Sequence, residues 1–88
     1  KTNMSQTDIY YRIRRILSFN FNVEDHGNLY TASLNNQLGL SPMELNLLLY
    51  HIEQSFNIKL KDGLETEVSS LNQLVSYVSH EVNRKNLN

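Results

Sequence analysis

The side chains able to do chemistry in this 88-residue chain are few and dispersed. His26, His51 and His80 match no metal-ligand spacing, with no H-x-x-x-H or H-E-x-x-H pair among them. The absence of cysteine removes thiolate metal sites and disulfide frameworks alike. Glu24-Asp25-His26 reads as a polar loop, because the further oxygen ligands and closing glutamate of a calcium loop do not follow. Glu65 and Glu67 lie close together with no proton-transfer partner between them, and no glycine-rich run forms a phosphate cradle. So small a domain without a metal, cofactor or cleft reads as no enzyme, with no catalytic residues and no metal. One hydroxyl has an unusual setting: Ser41, in Leu38-Gly39-Leu40-Ser41-Pro42-Met43-Glu44-Leu45. It is either a nucleophile or a helix cap, and the proline beside it carries no nucleophile.

The elements that would position Ser41 follow from hydrophobic periodicity. Thr7-Asp8 marks a helix start, and Ile9, Ile13, Ile16 and Leu17 recur at helical spacing, predicting helix 1 from about Asp8 to Asn20. Arg12, Arg14 and Arg15 fall mainly on its wet flank, and Phe19, Phe21 and Val23 continue the apolar signal. Residues Asn22 to Gln37 are rich in Asn, Asp, Ser and Gly and predict a long loop, anchored through Leu29, Tyr30 and Leu34. Helix 2 has the clearest start. Ser41 suits the N-cap, Pro42 the first helical position, and Glu44 completes an S-x-x-E capping box. Leu45, Leu48, Leu49, Ile52 and Phe56 form its buried stripe. Leu47 and Tyr50 fall off that stripe, so they are either a contact surface or covered by the long loop and the last helix. Asn57-Ile58-Lys59-Leu60 reads as extended, Asp62-Gly63 as a turn, and Leu64 to Val68 as one irregular helical turn. Ser69 or Ser70 caps a last helix carrying Leu71, Leu74, Val75, Val78 and Val82, with a polar, fraying tail from Asn83. The expected architecture is all-α: a small irregular bundle of three main helices and one short one, in a single domain spanning 1–88 with its core between about residues 7 and 82.

Composition excludes several partners. The formal net charge is −1 with dispersed basic residues, which leaves no footprint for nucleic acid. No apolar run reaches the roughly 18 residues of a membrane span. Lys1-Thr2-Asn3-Met4-Ser5 lacks a signal-type apolar region, so the expected location is cytoplasmic.

From Thr7 to about Ser79 the pattern resembles the acyl carrier protein family. Leu38-Gly39 match the family's Leu-Gly turn, Ile52 and Phe56 its apolar positions late in helix 2, Ile58 and Leu60 the short stretch that follows, and Val68, Leu71, Val75, Tyr77 and Val78 its final helix. The resemblance implies an acyl-carrier-like irregular four-helix bundle with a long loop between helices 1 and 2. In the family a serine after the Leu-Gly turn carries 4'-phosphopantetheine; here Pro42 occupies that attachment position and Ser41 lies one residue early. The family's recognition helix resembles a row of carboxylates, whereas here helix 2 keeps Glu44 and Glu53 and fills the rest with Leu47, Tyr50, His51 and Gln54. The family's acyl cleft between helices 2 and 3 is expected to be filled by Phe19, Phe21, Tyr30, Phe56 and Tyr77.

Together these readings give a carrier-like interaction module without phosphopantetheine. It is expected to bind a maturation or biosynthetic enzyme, or a peptide precursor, in a bacterial peptide-maturation-type pathway through Met43, Glu44, Leu47, Tyr50 and Gln54. Two alternatives accompany it: a working acyl or peptidyl carrier modified at Ser41, and a homodimer joined through Leu47 and Tyr50 of helix 2.

Overall fold

The computed structural model describes residues 4–24 and 27–85; Asp25 and His26 of the polar loop lie outside them. The described chain forms α1 (Gln6–Phe21), α2 (Pro42–Phe56), a short 3-10 turn (Leu64–Thr66) and α3 (Leu71–Lys85). Among the described residues there is no strand, only an isolated antiparallel bridge between Ser33 and Ser70. The fold is thus the all-helical bundle expected, with α1 packed on both α2 and α3.

Helix α1 begins earlier than Thr7-Asp8. Ser5 is the N-cap, and its hydroxyl accepts from the Asp8 backbone N–H at 3.1 Å. Asp8 therefore sits within the first turn, where its carboxylate opposes the positive end of the helix dipole. Ile9, Ile13 and Leu17 are fully buried, and Tyr10 nearly so. The helix closes at Asn22, whose left-handed backbone (φ 56°) lets its N–H return to the Leu17 carbonyl. Arg14, expected on the wet flank, is half-buried, its guanidinium 5.4 Å from the Tyr10 ring centroid.

Helix α2 buries Leu45, Leu48, Leu49 and Ile52. Its last turn holds no basic residue; the left-handed Asn57 returns its N–H to the Glu53 carbonyl, and side chains of α1 and α3 add donors from outside. From α1, Arg12 donates to the Ser55 carbonyl and, at 3.2 Å, to the Ser55 hydroxyl, with its guanidinium 4.5 Å from the Phe56 ring centroid. From α3, Lys85 donates to the Asn57 carbonyl. Asn57 is in a turn and residues 58–60 carry no strand assignment; Glu53 holds them, its carbonyl accepting from Ile58 N–H at 3.2 Å and its carboxylate from Leu60 N–H at 2.8 Å.

Ser70 is the residue that caps α3, its hydroxyl accepting from Gln73 N–H at 3.4 Å while the Gln73 side chain accepts from Ser69 N–H at 2.8 Å. The helix does not fray at Asn83. It continues to Lys85, with Asn83 half-buried and donating to the Met4 carbonyl and the Ser79 hydroxyl.

The loop between α1 and α2 is clasped to the start of α3 by backbone. Leu34 N–H donates to the Ser69 carbonyl and Leu71 N–H to the Ala32 carbonyl, each at 2.9 Å. Leu34 is 1% exposed; Ala32 and Leu40, two anchors that the polar sequence conceals, are also buried, while Leu29 and Tyr30 are half-buried. Leu40 N–H then donates to the Leu34 carbonyl at 3.0 Å, across a turn that requires the positive φ of Gly39 (74°). The core is aliphatic at its centre. Phe21, Tyr30, Phe56 and Tyr77 pack only around its margin, and Phe19 is 78% exposed, so the expected aromatic filling does not occur. Phe19 lies on the far side of α1 from the buried Ile9, Ile13 and Leu17, and its apolar character alone could not reveal that.

Two substitutions separate anchors from ornaments. Leu34→Ala is expected to cost about 2–5 kcal/mol in urea unfolding by loss of a buried side chain, whereas Phe19→Ala should move stability by less than about 0.5 kcal/mol. Arg12→Met, which keeps much of the apolar stem but no donor, should cost about 1–3 kcal/mol, because a charged hydrogen bond to the end of α2 is lost.

Candidate functional site

The candidate site is the start of α2 and the outer face that runs from it. At the start, Ser41 has extended backbone (φ −72°, ψ 164°) and lies outside the first helical turn. Its hydroxyl accepts from Glu44 N–H at 3.1 Å, and the Glu44 carboxylate accepts from Ser41 N–H at 2.9 Å. The capping box read from the sequence is therefore complete, with Pro42 at the first helical position, where its missing N–H costs nothing.

The Ser41 hydroxyl is exposed but oriented as a cap, and no histidine among the described residues is hydrogen-bonded to it. The His51 ring packs edge-on against Phe21 (5.8 Å between centroids) and Tyr50 (6.2 Å), and His80 is exposed on α3. Nothing beside Ser41 is arranged as a general base. Next to the cap lies a groove of about 450 Å³, lined by Leu34, Leu40, Pro42, Leu45 and Val68, with Glu65 at its edge. Its surface is mostly apolar, with polar Asn35, Thr66 and Ser69 among its lining, and no residue of α3 lines it.

Along the outer face, Met43 is 74% exposed, Leu47 49% and Tyr50 56%; Gln54 is exposed as well. The loop and α3 leave Leu47 and Tyr50 uncovered. Four of the five residues expected to meet a partner thus share one exposed stripe. Glu44 does not join them: it is half-buried and turned back to the Ser41 amide. Glu53 is half-buried and turned to the Leu60 amide. Both carboxylates of α2 are engaged with backbone N–H groups, which leaves the outer stripe neutral. The sequence signals this for Glu44, through S-x-x-E; it holds no comparable signal for Glu53, whose partner lies beyond the end of the helix.

A second depression, about 560 Å³, is lined by Gln6, Thr7, Tyr10, Tyr11, Arg14 and Tyr30. Its polar groups bind one another: the Tyr10 hydroxyl accepts from Leu29 N–H at 3.0 Å and from Arg14 at 3.2 Å, and the Tyr30 ring stands edge-on to Tyr10 at 5.6 Å. It holds the loop against α1. Elsewhere, exposed Lys61 and Arg84 have pKa values raised by hydrogen bonds to Glu67 and Glu81, each at 2.8 Å. Such surface pairs are screened and contribute little. Among the described residues no three His, Asp or Glu side chains converge on a metal position, and no helix is long and apolar enough to cross a membrane.

No protein-family model matches the chain. It is similar over 79 residues to the acyl carrier protein of Guillardia theta, at 28% identity across 90% of this chain and 98% of that protein. It is similar at 24% identity to the acyl carrier protein of Cylindrotheca sp. (strain N1), across 90% of this chain and 99% of the other. The similarity spans nearly the whole of each protein and agrees with the helical architecture, supporting an acyl-carrier relationship for the chain as a whole.

Proposed function

We propose that this chain is a non-catalytic, acyl-carrier-like module that works without a phosphopantetheine arm and binds a partner protein through the outer face of α2. The observation that carries the reading is Pro42: under the resemblance it stands at the attachment position, inside a capping box that engages Ser41 and Glu44 with each other. A proline has no hydroxyl to form the phosphodiester. The exposed Met43, Leu47, Tyr50 and Gln54 favour recognition by apolar contact, with the tyrosine hydroxyl as a polar handle. The partner proposed is a biosynthetic or peptide-maturation enzyme, or a peptide precursor, in a bacterial cytoplasmic pathway. With only two carboxylates on α2, long-range attraction of a basic partner would be weak.

A second reading, a working carrier with its arm on Ser41, is favoured by the exposed hydroxyl and the mostly apolar groove beside it. The energy of the cap does not decide between the two, because losing it costs only about 1 kcal/mol. Position supports the first reading: one residue along a helix turns the side chain by about 100 degrees, away from the direction in which the family presents its serine.

Two measurements on the same variants test the proposal. Incubation with coenzyme A and a broad-specificity phosphopantetheinyl transferase should leave the mass unchanged; a gain of about 340 Da that disappears in Ser41→Ala would mean an esterified hydroxyl and overturn the reading. In urea unfolding, Ser41→Ala should lose about 0.5–2 kcal/mol as a lost N-cap, while Glu44→Gln, which retains a capping-box acceptor, should lose less than about 0.5 kcal/mol.

A further inference from the structure

A further depression, about 520 Å³, lies where α2 and α3 end, far along α2 from Ser41. It is lined by Asn57, Ile58, Lys59, Glu81, Arg84 and Lys85. Three of these side chains are cations and one is a carboxylate, in a chain whose formal net charge is −1. The positive charge is therefore local. Part of it serves the fold: Lys85 donates to the Asn57 carbonyl, and Arg12 reaches the Ser55 carbonyl at the same end of α2, where the helix dipole favours cations. Lys59 has no such duty. It is exposed and makes no hydrogen bond or ion pair among the described residues. Its backbone is nonetheless held on both sides, because the Ile58 N–H donates to the Glu53 carbonyl and the Leu60 N–H to the Glu53 carboxylate. The ammonium is thus presented from a fixed base. Glu81 does not cancel the field at the surface. Its side chain is 14% exposed and that of its partner Arg84 68%, so the pair turns its acid inward and its cation outward.

We infer that this depression is a docking surface for an acidic segment of a partner protein, with carboxylates meeting Lys59, Arg84 and Lys85. Size argues for a segment of chain: a bare anion would leave most of the depression empty, whereas several side chains would fill it. Half-buried Ile58 and the lysine stems supply apolar surface for the carbon chains that carry the carboxylates. Arg84 keeps guanidinium N–H groups beyond the one given to Glu81, in the planar fork that suits a carboxylate. The polarity is opposite to the row of carboxylates on the recognition helix that the carrier resemblance implies. The inference rests on neither the missing arm nor the outer face of α2. Exposed charges of this kind steer and orient a partner more than they tighten it, so the contact is weak and salt-dependent.

Titration of the full ¹⁵N-labelled chain with a hexaglutamate peptide tests this, followed by the backbone amide signals. In about 0.05 M salt, signals of residues 57–59 and 81–85 should shift, with a dissociation constant between about 0.1 and 1 mM. Raising the salt to about 0.5 M should weaken binding by about tenfold or more. Lys59→Glu, at an exposed side chain without contacts, should weaken it by about tenfold while its own spectrum shows an intact fold. Arg15→Glu makes the same change of charge on α1, outside the depression, and should cost at most about threefold. The inference is overturned if the peptide shifts no signals there, if Lys59→Glu has no effect, or if Arg15→Glu weakens binding as much. Inorganic phosphate or glutarate binding as tightly as the peptide would also overturn it, by showing a site for small anions.

Discussion

The structure depends on how the two ends of α2 are satisfied. A helix of this length leaves four donors and four acceptors without intrahelical partners, and this one has no basic residue in its last turn. At the N-terminus the answer is local: Ser41 and Glu44 bond each other's backbone, and Pro42 removes one donor altogether. At the C-terminus a local cap, the Asn57 and Ile58 N–H groups on the Glu53 carbonyl, is joined by tertiary donors, Arg12 from α1 and Lys85 from α3. The same contacts that complete α2 thereby fix the neighbouring helices against it. Glu53 extends the arrangement by holding the chain that leads away toward the 3-10 turn.

This division of labour explains the character of the outer face. The two carboxylates of α2 are drawn to backbone N–H groups, Glu44 at the helix start and Glu53 at Leu60, where charge-assisted hydrogen bonds are strong. What remains facing outward is Met43, Leu47, Tyr50 and Gln54. A single exposed apolar residue such as Phe19 is ordinary on any protein surface. Three apolar side chains and a glutamine aligned on one helix differ in kind, because their alignment gives a shape that another surface can match.

Legibility in the sequence follows the range of each interaction. The start of α2 was readable because all its partners lie within four residues. The inward stripes of the three helices were readable because their period repeats. The start of α1 was misjudged by a few residues because Ser5 and Thr7-Asp8 offer similar cap chemistry, and hydrogen bonding alone selects between them. Ala32 and Leu40 were hidden because anchors in an irregular loop have no period to betray them. Arg12 and Glu53 resemble ordinary surface charges until the fold brings Ser55 to one and Leu60 to the other. Exposure of Leu47 and Tyr50 could not be settled without the path of the loop, which depends on the non-local clasp between residues 32–34 and 69–71.

The proline at the start of α2 links chemistry to architecture. A serine in its place would supply a nucleophile, but also an N–H group without a helical partner and a backbone free to leave the helical φ. Pro42 removes both, since its ring fixes φ and it has no N–H to satisfy. Relative to the carrier pattern that the chain resembles, one residue takes the attachment position and strengthens the helix start. The gain is felt along the helix, because Met43 follows immediately and Leu47 stands one turn further on. A better-fixed helix presents its outer stripe with less freedom to lose on binding, and interfaces of few side chains are those most sensitive to such losses.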